Sequence, residues 1–237
     1  MSAISTNIQC VPTPVLFCAT AKIAPDAVAG LARWFKAESL TGANDSPFPT
    51  WTDTAAIQNA EQAVGTSQPT LYHNGAFNYI RYDGVDDFMD YGELLTARTV
   101  FAVVRYWNTA TDAALIFGHE TFYDFHGGHS ANSDQGKVLS ATLSSQWLRW
   151  TDTLPHSRAL LNGVSTTPTT SINKPPAFAV LAFRAVAAVR CQNFANDRAQ
   201  SLAPIDLMEA VLYTEELTDA KMDGVAAWLA AKFAAYV

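Results

Sequence analysis

From residue 77 to residue 213 the chain is a succession of short β-forming runs, most of them closed by a turn-forming pair. This pattern limits the folds open to it. Residues 77–82 alternate as FNYIRY, and residues 99–107 (TVFAVVRYW) are rich in β-branched and aromatic side chains. Residues 113–117, 121–126, 137–143, 146–151, 157–161, 177–185 and 207–213 continue in the same style. Between them fall Asn74-Gly75, Asp83-Gly84, Gly127-Gly128, Asn162-Gly163 and Pro175-Pro176. Many short strands at close spacing predict a sandwich or barrel, not βαβ units. Asn162-Gly163 between Leu161 and Val164 is the clearest hairpin, because both residues tolerate the positive φ of a type I′ turn.

Helical periodicity is confined to the ends. Thr218 is a good N-cap and Asp219 suits a first turn. Met222, Val225, Trp228, Leu229 and Phe233 then recur at spacings of three and four, predicting a helix over 219–235 that packs Val225, Trp228 and Leu229 on the β domain. A weaker helix is predicted over 25–36, with Pro25 in its first turn and Val28, Leu31, Ala32 and Phe35 on one face.

Composition narrows the function classes. The chain has 237 residues, enough for one large domain with a sizeable core. Its 15 basic and 22 acidic residues give a net charge of −7, which disfavours a nucleic-acid backbone binder. No basic n-region precedes the first apolar stretch, which Pro12 and Pro14 interrupt, so no signal peptide is read. No run reaches the ~20 apolar residues of a membrane span. The expected site of synthesis is a cytoplasm, with no membrane partner. Cys10, Cys18 and Cys191 are an odd set at no metal-like spacing and read as small buried hydrophobes. The apolar segment 1–24 is expected to mediate attachment or oligomerisation, since it would be sticky if exposed.

The densest polar cluster is His119, Glu120, Asp124, His126 and His129, closing with Asn132 and Asp134. The zinc-protease pattern needs two histidines four apart on a helix, and this spacing differs. The expectation is therefore no metal and no cofactor. If 121–126 is a strand, Asp124 and His126 share a face beside the His129 loop. Asp124, His126, His129, Asn132 and Trp147 are the candidate ligand-binding residues, Trp147 because it and Trp150 differ in parity and one would face solvent. The run Asp83-Gly84-Val85-Asp86-Asp87 has an acidic look but lacks calcium-loop spacing. It reads as a tight turn whose aspartates bond turn amides. No Walker, dinucleotide or nucleophile-elbow motif occurs, nor an E-x-D-x-E triplet, so no catalytic residue is assigned. Glu120 and Asp124 are the nearest to a hydrolytic pair.

Several segments together resemble a known family. These are LARWFKAESLTG, WTDTA, QPTLYHNGAFNYIRYDGVDDFMDYG, the strand 99–105, the hairpin 160–164, MEAVLYTEELTDA and WLAAKF. The chain is similar, over about 31–236, to concanavalin A-like lectin/glucanase domains of the laminin-G-like kind. The resemblance implies an all-β, two-sheet antiparallel jelly-roll sandwich with a C-terminal helix. It places an opening strand at 33–37, makes 83–87 structural, and leaves 1–30 as an extension before a domain at 31–237. Members of the family bind sugars, adhere to surfaces or decorate larger assemblies, some of them bacteriophage tails and capsids. The expected function is a non-enzymatic virion structural protein, decorating a capsid or tail. Its expected partners are other virion subunits and further copies of itself, with a cell-surface glycan as a further one. The alternatives are a carbohydrate-binding module and, behind it, a glycoside hydrolase.

Overall fold

The computed structural model describes residues 20–109, 116–121, 136–139, 156–166, 172–197 and 201–237. Eight principal strands and one helix organise them. The strands are β1 (Leu31–Phe35), β2 (Thr70–Asn74), β3 (Phe77–Arg81), β4 (Met89–Tyr106), β5 (His156–Leu161), β6 (Val164–Thr166), β7 (Ala179–Phe194) and β8 (Ile205–Tyr213), and the helix is α1 (Asp219–Lys232). All these pairings are antiparallel, in the order β6-β5-β7-β4-β8-β3-β2. The far side of β8 is shared: β3 pairs with Asp206 and Leu207, and β1 pairs with Ala210 to Tyr213. The all-β antiparallel architecture with a C-terminal helix is thus the one expected.

Strand alternation produces two cores. Val100, Ala102, Val104 and Tyr106 of β4 join Leu181 and Phe183 of β7 in one, with Phe35, Trp51, Tyr91 and Phe194. The rings of those last four lie with centroids 4.7–5.8 Å apart. Phe101 and Val103 of β4 and Val180 and Ala182 of β7 face the other core, under Met222, Val225, Ala226 and Leu229 of α1 and Phe233 just after it. Strand β8 is buried at every position because it serves both. A register shift between Leu207 and Glu209 lets Leu207 and Ala210 face one core and Met208 and Val211 the other. Both β4 and β7 outrun the segments predicted for them. Their register shifts between Arg184 and Asn193, and both halves line the first core, so the strands curl around it.

Local signals explain the connections. Asn162 (φ 49°) and Gly163 (φ 77°) form the predicted hairpin turn between β5 and β6. Thr218 caps α1, its side chain accepting from Lys221 N. The helix predicted over 25–36 does not form. A 3-10 turn at Pro25–Ala27 gives way to β1 after Gly30, whose φ of 81° ends any helical run. The pairing of β1 with β8 overrides the local periodicity, and the strand lies two residues ahead of the 33–37 that the resemblance implied, since Ala37 opens a 3-10 turn. Residues ahead of β1 are docked: Ile23 N donates to Gly224 O at 3.0 Å, and Tyr213 Oη to Pro25 O at 2.9 Å. Trp228 is only partly buried, set edge-on to Trp34 at 5.9 Å, so it borders the core instead of filling it.

Candidate functional site

The β domain carries an open cleft of about 500 Å3, lined by Ser67, Val85, Asp86, Phe88, Glu120, Asn196 and Leu202. This lies within the roughly 300–1,000 Å3 of small-ligand sites. Its first wall is the turn after β3. Asp83 Oδ1 accepts from the amides of Val85 (2.7 Å), Asp86 (3.2 Å) and Asp87 (3.4 Å), so the acidic run is the turn predicted for it. Gly84 sits at φ 76°, with Pro204 close enough to meet any Cβ there at 3.0 Å. Phe88 N bonds Ser67 O at 3.3 Å, joining the 3-10 turn Gly65–Ser67 to this wall.

The second wall is a pair of short ladders. Phe117–Gly118 pairs with the end of β7, and Asn196–Asp197 pairs with Ser201–Leu202. Gly118 is required here: a Cβ on it would lie 1.6 Å from Asn196 O. That close approach brings the backbone bearing Glu120 against the one bearing Asn196. Next to Glu120, His119 is buried and its Nε2 lies 3.2 Å from Glu93 Oε1.

The cleft is acidic. Asp86 and Glu120 line it, and no lysine or arginine does so among the described residues. Behind Asp86, carboxylate oxygens of Asp83, Asp86 and Asp87 all lie within 4.8 Å of one another. Burial pushes the Asp87 carboxyl up to about 7, with the Asp83 amide opposing and the Asp83 and Asp86 charges adding to the rise. The adjoining Tyr82 hydroxyl is fully buried, raised well above its ordinary range by burial, and unpartnered among the described residues. These three aspartates are the described residues able to hold a cation, although Asp83 Oδ1 already serves three amides. Chemically, the cleft offers carboxylate acceptors and a serine hydroxyl over an apolar lining of Phe88, Leu202 and Val85. That arrangement suits a polyhydroxylated ligand with one apolar face.

Of the site residues expected from the sequence, Asp124, His126, His129, Asn132 and Trp147 lie outside the described residues, as do Cys10 and Cys18. Glu120 is in the cleft, and Asp86 belongs to the acidic run singled out from sequence. Ser67, Phe88, Asn196 and Leu202 were missed. They come from four separate segments, and no spacing in the sequence links them.

No protein-family model and no curated protein matches the chain. Among solved structures it is similar to Trypanosoma rangeli sialidase in complex with sialic acid, with a TM-score of 0.47, 11% identity, and coverage of 91% of this chain and 36% of that one. A second structure of Trypanosoma rangeli sialidase gives a TM-score of 0.44 and 12% identity at the same coverage. The chain therefore spans about a third of the length of the structures it matches. These neighbours correct two expectations. Both are sialidases, which are enzymes, and neither is a virion protein, so the reading as a non-enzymatic virion structural protein is withdrawn. At this degree of likeness no activity carries over, and the functional reading rests on the cleft itself.

Proposed function

We propose that the chain is a glycan-recognising β-sandwich domain that binds neutral saccharides in the acidic cleft. The observation that carries this is the convergence of Asp86, Glu120 and Ser67 with the partly exposed Phe88 in one open cleft. Carboxylates accept strong hydrogen bonds from sugar hydroxyls, and an aromatic ring packs against the C–H face of a pyranose. The acidic lining disfavours negatively charged sugars. The concanavalin A-like kinship read from the sequence supports the same class of ligand, and a cell-surface glycan is the proposed source.

A glycan array carrying neutral, amino and sialylated sugars tests this. The expected result is binding of neutral glycans that is lost in Asp86→Ala/Glu120→Ala, with sialylated glycans weaker than their neutral parents. Silence across the array, or a preference for sialylated forms that survives the double substitution, overturns it.

A second reading, hydrolysis of the bound glycan, is favoured by one feature. Two carboxylates, Asp86 and Glu120, share the cleft, as an acid and a base would. Incubating array hits with the protein and assaying for new reducing ends separates the readings. Cleavage lost in Glu120→Gln supports hydrolysis; intact glycan after long incubation leaves binding alone.

A further inference from the structure

Next to the cleft's first wall, on the α1 face of the sheet, three charged residues stand in one cross-strand row. Asp206 on β8 lies opposite Arg81 of β3 on one side and opposite Arg105 of β4 on the other. The carboxylate is completely buried, while the arginine side chains are 31% and 28% exposed. Arg81 donates to it from Nε at 2.7 Å and from Nη2 at 2.9 Å. Arg105 donates from Nε at 2.6 Å and reaches Tyr79 Oη from Nη2 at 3.4 Å. These bonds leave Nη1 of both guanidiniums unengaged among the described residues.

The surroundings are aromatic. Arg81 lies over the Tyr72 ring, 4.8 Å from its centroid, and 5.6 Å from that of Trp107. Arg105 lies over Phe178 at 4.6 Å and near Tyr79 at 5.2 Å. Tyr72 and Tyr79 are themselves stacked, 5.4 Å apart and 13° from parallel. Trp107 is 43% exposed at the end of the row, its indole N–H held by Tyr82 O at 3.1 Å. Asp45 is exposed and meets the hydroxyl of Tyr72.

One carboxylate needs one guanidinium for neutrality. The row has two, fixed in position by a buried partner and by rings, so it keeps a surplus positive charge inside a chain of net charge −7. Prearranged guanidinium donors recognise oxyanions, and their fork geometry favours carboxylate and sulfate. An exposed indole beside them offers a flat face to the ring that carries the anion. From this arrangement we infer that Arg81 and Arg105 form a second binding site for an oxyanion on a sugar ring, a uronate or a sulfate ester. The site is distinct from the acidic cleft and of opposite preference. It rests on the glycan reading only for the ring that bears the charge.

The test is a titration of the full chain with glucuronate, glucose 6-sulfate or glucose, following the Trp107 indole N–H resonance. Glucuronate or the sulfate is expected to shift it and glucose is not. Sodium chloride is expected to weaken the charged ligand's binding, and Arg81→Gln or Arg105→Gln to weaken it about tenfold. Each single variant leaves Asp206 one guanidinium, and the salt dependence of the unaltered protein tests the inference should neither variant fold. Asp86→Ala/Glu120→Ala is expected to leave the titration unchanged, which separates this site from the cleft. Equal response to glucose and glucuronate, no shift with any of the three at millimolar ligand, or a response indifferent to salt overturns the inference.

Discussion

The seating of α1 on the sheet depends on a buried charge pair, and removing one member gives a worked test. Glu209 of β8 is fully buried. Its Oε1 accepts the indole N–H of Trp34 at 2.8 Å, and its Oε2 accepts Lys232 Nζ from the last turn of α1. Lys232 also reaches Glu38 Oε2 at 2.7 Å, and its own side chain is 10% exposed. Burial raises the Glu209 carboxyl above its ordinary range, with Lys232 and Trp34 opposing the rise. Lys232→Met keeps most of the apolar stem but strands the carboxylate with one neutral donor. Breaking a buried pair in this way costs about 3–5 kcal/mol. Uptake of a proton by Glu209 caps the loss, so about 2–4 kcal/mol is expected near pH 8. The sign of the pH effect follows. Lysine favours the ionised carboxylate, so its loss is felt only while Glu209 is ionised, and the deficit shrinks as pH falls. Urea melts near pH 8 and near pH 5 are the assay. Glu209→Gln in the same chain should recover most of the deficit at the higher pH, since no charge is then stranded. An equal deficit at both pH values, or no recovery in the double variant, would refute the reasoning.

Three further outcomes are expected. Asp87 holds its proton in the folded state to about 7, well above its ordinary 3.8, so its effect on stability worsens as pH rises from about 4 to about 7. Asp87→Asn, which can still accept from the Asp83 amide, should raise Tm relative to wild type near pH 8 and give no such gain near pH 4; a constant difference would count against a buried carboxyl. Gly118→Ala must push Asn196 O away and is expected to cost about 1–3 kcal/mol in urea melts, as overpacked sites do; a neutral result would show the two ladders are not in close contact. Trp228→Ala, at a partly buried ring, should cost about 1–2 kcal/mol in the same melts, less than the roughly 3–5 kcal/mol of a fully buried aromatic.

The parts of the fold visible in the sequence are those governed by local rules. The Asn162-Gly163 turn, the Thr218 cap, the alternation at 77–82 and the β-forming run at 207–213 each act within a few residues, and each was legible. The strand at 31–35 was hidden from periodicity, since its partner β8 lies about 180 residues away. The long reach of β7 was hidden as well, because Arg184, Arg190 and Gln192 break the apolar run while the strand continues through register shifts. The acidic run at 83–87 was read correctly as a turn, yet its position beside Glu120 depends on how Phe117–Gly118 meets the end of β7. Nothing in the spacing of Asp86 and Glu120 reveals that meeting. Likewise, Arg81, Arg105 and Asp206 sit in three plain strand segments, and only the register brings them into one row.

Whether the acidic cleft is a saccharide site is the central question, and backbone 1H–15N shift mapping with a neutral glycan tests it most directly. Saturable shifts are expected at Ser67, Val85, Asp86, Phe88, Glu120 and Leu202, with the amides around Arg81 and Arg105 unmoved. Shifts centred on the arginine row with the cleft silent, or no shift with any neutral glycan at millimolar concentration, would contradict a saccharide site in the cleft.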